Sequence, residues 1–266
     1  GEMTSTLSSP AGRTRSRAPT DEPTAYAEAV AAGKIIAGKL VIAACRRHLR
    51  DLETGARRGW RYDAAVAAFG IRFFRYLKHS KGRWARQSFV LSPWQAFCVG
   101  CVHGWVSIKT GKRRFRTAIV VVAKKAGKSA MCAGEGLFHL TADGEEGGEV
   151  YSVATARDQA KIIFEEAKRM VERSPDLSSR VRRFVRNLSV DRTASKFEPL
   201  SSDAKTGDGV NPSCVLVDEL HRHKSRAMLD LMDSGGGARE QPIMWIITTA
   251  GDDDPVSPYN TEFDYA

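Results

Sequence analysis

Beyond Phe89 the chain alternates short β-rich apolar runs with helix-like stretches. The apolar runs are Ala118–Val122, Glu149–Ala154, Cys214–Val217 and Ile243–Thr249. Helical texture lies between them, at Ser129 to Leu140, Arg157 to Arg173 and Met228 to Asp233. Near-continuous apolar strands separated by helices are the pattern of parallel strands joined by crossovers and covered on both faces. The expectation is an α/β sheet, and ligands on such sheets bind at the carboxyl ends of the strands.

The first half reads differently. Residues 1–20, rich in Ser, Thr, Pro, Arg and Gly, lack apolar content and read as a disordered basic arm. Residues 21–88 read as an N-terminal helical appendage: an Ala-rich stretch from Thr24, interrupted by Gly33 and Gly38, then a second helix from Asp63 to Leu77. Residues 89–266 form the α/β domain. Residues 1–116 carry 22 Lys/Arg against 7 Asp/Glu, and the remainder 19 against 24. A basic half beside an acidic half points to a polyanionic partner, nucleic acid first among them.

No stretch approaches the roughly 18 uninterrupted apolar residues of a membrane span, so no membrane partner is expected. The five cysteines have no framework spacing. Cys98-Val-Gly-Cys101, with His103 close by, has no second cysteine pair to complete a zinc site. Its apolar surroundings suit two small residues facing the core.

The first predicted strand runs into Ala123-Lys124-Lys125-Ala126-Gly127-Lys128-Ser129 and then a helix. A phosphate loop presents backbone N–H groups and a helix N-terminus to the anion, with a lysine on the terminal phosphates and a hydroxyl on Mg²⁺. Here Gly127 permits close approach, Lys128 is the phosphate lysine and Ser129 the metal hydroxyl. The usual first glycine is missing, with Val122 in its place. A second apolar strand, Cys214 to Val217, ends in Asp218-Glu219. Asp218 is suited to hold Mg²⁺ and Glu219 to polarise an attacking water. A third strand ends in Thr248-Thr249, hydroxyls that in motor ATPases sense the γ-phosphate. Upstream, Pro93-Trp94-Gln95 offers a glutamine for the adenine edge and reads equally as a helix start.

Together these residues resemble the large terminase subunit of tailed bacteriophages. The matching features are W-A-x-x-x-F-x-L-x-P-W-Q (Trp84 to Gln95), V-A-K-K-A-G-K-S (Val122 to Ser129) and A-T-x-x-x-Q-A-K (Ala154 to Lys161). They continue with D-A-K-T-x-D-G (Asp203 to Gly209), V-D-E-L-H (Val217 to His221) and A-R-x-Q-P…I-T-T-A-G (Ala238 to Gly251), in the family's order. In that family the loop lacks the first glycine and carries an early basic residue, usually arginine; Lys124 holds that place, beside Lys125 and Ala126.

The resemblance implies a P-loop NTPase of the additional-strand, catalytic-glutamate type, a RecA-like, mainly parallel sheet flanked by helices. It implies an ATPase, using ATP and Mg²⁺, that translocates double-stranded DNA into a preformed capsid. The implied partners are the portal protein and procapsid, the small terminase subunit and further copies of the chain in a ring. The implied place is the cytoplasm of an infected bacterial host, at the capsid portal vertex. Glu219, Lys128 and Lys124 are its expected catalytic residues, and Arg239 or Arg157 its expected arginine finger for the neighbouring site. The family's nuclease is expected beyond residue 266, and Asp252-Asp253-Asp254 reads as a solvated turn rather than a metal cluster. The alternative is a helicase-like nucleic-acid ATPase, which usually follows the acid pair with Ala-His or Ala-Asp.

Overall fold

A computed structural model of the protein describes residues 21–154, 157–201, 210–220, 229–230, 234 and 236–249. The N-terminal stretch folds as two helices, not one. Asp21 caps α1 (Glu22–Ala31) by accepting from the Thr24 amide, and Pro23 sits in its first turn. The helix breaks at Gly33, whose φ of 71° suits glycine, and α2 (Lys39–Thr54) begins after Gly38. A short strand, β1 (Trp60–Tyr62), leads to α3 (Ala64–Phe73), capped by Asp63. Then follow α4 (Pro93–Gly104) and β2 (Trp105–Ser107), which pairs antiparallel with β1.

The main sheet is built from β3 (Thr117–Val121), β4 (Glu149–Ala154), β5 (Arg182–Arg183), β6 (Leu188–Val190), β7 (Ser195–Ser201), β8 (Cys214–Asp218) and β9 (Ile243–Thr248). Their spatial order is β3-β9-β8-β4-β7-β6-β5. The first five run parallel, and β6 and β5 extend the sheet antiparallel. The helices α5 (Lys128–Thr141), α6 (Arg157–Arg173) and the short α7 (Pro175–Ser178) connect them. β9, last in sequence, inserts between the loop strand β3 and the acid-pair strand β8. That insertion is the additional strand expected of this P-loop class.

Three of the four predicted strands end within one residue of their observed limits, and β4 matches at both ends. The predicted set lacks β7, β6 and β5. Pro199 interrupts β7, and its sequence SKFEPLS reads as a loop. The strand tolerates proline because β6 pairs only Ser195 to Phe197, leaving Pro199 where one edge has no strand partner.

The helical appendage is not wholly separate from the sheet domain. Ala27, Val30, Cys45 and Phe97 form a small core joining α1, α2 and α4. Phe73, Phe74 and Leu77, by contrast, belong to the central core with Met131, Leu137, Leu216 and Trp245. Phe74 lies so close to α5 that a Cβ on Gly134 would come within 2.3 Å of its ring. A second fastening is ionic: buried Asp51 of α2 accepts from Arg114 at 2.7 Å and also bonds Arg58. Burial pushes the Asp51 carboxyl up, but these guanidinium hydrogen bonds prevail and hold it below the usual carboxylate range. Cys98 and Cys101 are free thiols packed against the small core, and burial pushes Cys98 up to about 12. Among the described residues, no helix is long and apolar enough to cross a membrane.

Candidate nucleotide-binding site

Three adjacent parallel strands deliver their chemistry to one edge. The loop follows β3, Thr248 ends β9 with Thr249 next, and Asp218 ends β8 with Glu219 next. Backbone hydrogen bonds fasten the three ends together. Val122 N donates to Thr248 O at 3.1 Å, and Glu219 N donates to Ile247 O at 2.9 Å. The carbonyls of the inserted strand thus fix both the start of the loop and the acid pair. No side-chain motif signals this role, because only backbone atoms carry it.

Across that edge Lys128 Nζ lies 3.2 Å from Glu219 Oε1. Lys128, the first residue of α5, is buried, whereas residues 123 to 127 are exposed. Lys124, Lys125, Ala126 and Gly127 therefore present an open surface, and Ser129 is half-buried in the first turn of α5. Gly127 caps α5 with φ 84°, a left-handed conformation that costs any other L-residue about 1–2 kcal/mol. Four non-glycine residues among those described have positive φ, and two are here, Lys125 at 64° and Glu219 at 54°. Such backbone costs on the order of 1–3 kcal/mol and clusters at functional sites.

Gln95 reaches the loop from the first turn of α4. Its Oε1 accepts from Ser92 N at 2.9 Å and Ser92 Oγ at 3.0 Å, completing a capping box. Its Nε2 lies on the loop side, where a Cβ on Gly127 would sit 3.2 Å away. Thr248 is buried, with its hydroxyl donating to Thr249 O at 3.0 Å. Ser129 and Asp218 supply hard oxygen donors, hydroxyl and carboxylate, a set that fits Mg²⁺.

The two arginines part company. Arg239 precedes β9, and its guanidinium donates to Asn211 O, Glu146 O and Gly147 O at 3.0, 3.1 and 2.6 Å, beside Glu145 at 3.6 Å. These groups lie ahead of β8 and β4, at the amino edge of the sheet, a strand's length (roughly 20 Å for six residues) from the loop. Within the chain Arg239 ties strand entrances together, away from the chain's own loop; the role expected of it is at a neighbouring subunit's site. Arg157 opens α6 just after β4, on the loop side of the sheet, and its side chain lies outside the described residues. His221, the 203–209 motif and Asp252 to Asp254 also lie outside them.

Residues 93–266 match the family described as the terminase large subunit, ATPase domain. The chain is 29% identical over 142 residues to the large terminase subunit of Enterobacteria phage HK97, covering 52% of this chain and 28% of that protein. It is 42% identical over 82 residues to Protein YmfN of Escherichia coli (strain K12), covering 29% of this chain and 18% of that protein. The crystal structure of the HK97 bacteriophage large terminase superposes with a TM-score of 0.64 at 23% identity, over 77% of this chain and 41% of that one. At that identity the superposition shows the fold. The chain thus spans less than a third of these curated relatives and under half of the solved structure. Because the family match covers most of the chain, on a sheet with the additional strand in place, the protein belongs to the large terminase subunit family and carries its ATPase domain.

Proposed function

We propose that the chain hydrolyses ATP at the β3–β9–β8 edge to drive double-stranded DNA into a preformed capsid. The observation that carries this reading is the 3.2 Å contact between Lys128 and Glu219, made across the inserted strand. It supports a site in which Lys128 meets the phosphates and Glu219 the attacking water.

The loop amides and the start of α5 receive the phosphates, and Lys128 exchanges Glu219 for them. Released from the ammonium, Glu219 accepts the proton of the attacking water. Ser129 and Asp218 would hold Mg²⁺, which would neutralise phosphate charge. Lys124, exposed at the start of the loop, takes the position of the family's early arginine, as a point charge without the bidentate fork. Gln95, whose Oε1 is held by Ser92, turns its amide nitrogen toward the loop as the base-side contact. Thr248 and Thr249 report the state of the phosphates through β9, whose carbonyls fasten both loop and acid pair.

Arg157 or Arg239 is the candidate to complete a neighbouring subunit's site, in an active form that is a ring. The ring sits on the portal of a procapsid, receives DNA with the small terminase subunit and works in the cytoplasm of the infected host. Hydrolysis per chain should rise with protein concentration and with added double-stranded DNA. A rate unchanged by either would refute the ring and DNA parts of the proposal.

A further inference from the structure

We propose that His103, Glu135 and His139 form a buried transition-metal site of the zinc class, pinning α4 to α5. The inference is independent of the nucleotide reading. Glu135 and His139 stand one turn apart on α5, and His103 faces them from the last turn of α4. His103 Nε2 lies 3.0 Å and His139 Nε2 3.6 Å from the same oxygen, Glu135 Oε2. One donor atom from each residue lies within 4.8 Å of the others, and all three side chains are buried.

The neighbours hold the cluster in place and leave polar atoms over. Asp143 Oδ2 lies 2.9 Å from His139 Nδ1, and Arg113 grips the same carboxylate at 2.9 and 3.3 Å. With Nδ1 engaged there, Nε2 is the ring nitrogen turned toward Glu135. Neither His139 Nε2 nor Glu135 Oε1 has a hydrogen-bond partner. Buried polar atoms left without partners are costly, and a shared cation would satisfy them.

The geometry suits such a cation. Bonds of about 2.0–2.1 Å at tetrahedral angles set ligand atoms about 3.3–3.4 Å apart, and the two separations above fall on either side of that. Two imidazoles and one carboxylate favour zinc-class ions over Mg²⁺ or Ca²⁺. The outer contacts are in place. Asp143 orients His139 as carboxylates orient metal-bound histidines, and Arg113 is itself anchored on Gln241 O at 2.6 Å. The His103 ring is held by Phe138, centroids 4.5 Å apart, and by Gly70, where a Cβ would meet its Cδ2 at 2.9 Å. The nearby cysteines take no part: Cys101 meets His48 instead.

The test uses the tag-free 266-residue chain, purified without chelator. Elemental analysis should find about one zinc per chain, and Co²⁺ loading should give the visible ligand-field band of a tetrahedral site. Glu135→Gln and His139→Gln should lose both while keeping their far-UV spectrum. Stripping the wild type with 1,10-phenanthroline should lower its Tm, and zinc should restore it. Should the variants not fold, the cobalt band and zinc-dependent Tm of the wild type decide. No cobalt band with a Tm indifferent to zinc would overturn the site. Zinc retained in folded His139→Gln would overturn it as well.

Discussion

At its amino end α5 receives an exposed loop, residues 123–127, and turns one buried lysine onto Glu219. Two turns farther on, roughly 10 Å, the same helix carries Glu135 and His139 sealed from solvent among His103, Asp143 and Arg113. The first end is open, backbone-rich and strained. The second is closed, side-chain-rich and anchored by paired charges. An anion that comes and goes needs the first construction, because exposed amides and one movable ammonium can exchange partners. The second, sealed and multiply paired, is built to resist exchange.

Perturbing each end should therefore give a different signature. The largest expected effect is at the open end: Lys128→Ala should reduce ATP turnover by about 10²–10⁴-fold, the range for a group acting on the reacting charge, with little change in Tm. At the closed end, Arg113→Ala leaves Asp143 buried beside His139 without its guanidinium. Unfolding titration should show a loss of about 3–5 kcal/mol. A variant with unchanged stability would break the contrast. Gly127→Ala lies between the two, since it strains the cap by about 1–2 kcal/mol and crowds Gln95. Nucleotide affinity measured by fluorescence should fall more than Tm does.

Smaller still is the effect of Lys124. Because it is exposed and lacks arginine's fork, Lys124→Ala should slow hydrolysis less than Lys128→Ala, and Lys124→Arg should preserve or raise the rate. The smallest effect lies at Asp51, which fastens the appendage. Its folded carboxyl is held below the unfolded value of about 3.9. The stability it contributes is therefore present above that pH and lost as pH falls through the folded value. Asp51→Asn should flatten the acid limb of the stability curve relative to wild type.

The sequence discloses the open end and hides the closed one for a physical reason. Loop, acid pair and hydroxyl tip are contiguous residues at strand ends, so their chemistry shows in short words such as AGKS and VDE. The closed cluster is assembled from His103 and from Glu135 to Asp143, more than thirty residues away, on helices whose mutual rotation no periodicity reveals. In sequence His103 stands out only by its closeness to Cys101, yet the two side chains meet different partners. Arg239 shows how far sequence distance and spatial distance can part. It is near Thr248 in sequence, but a whole strand separates them, and the guanidinium lies at the far edge. Strand β7 escapes notice because Pro199 and two charged residues mask it, while its register with β4 is settled only in the sheet.

Cleavage of ATP at the Lys128–Glu219 edge is open to a direct test: steady-state hydrolysis by Glu219→Ala, with nucleotide binding measured on the same sample. Binding should persist while turnover falls to background, with or without double-stranded DNA. Hydrolysis at the wild-type rate would contradict it.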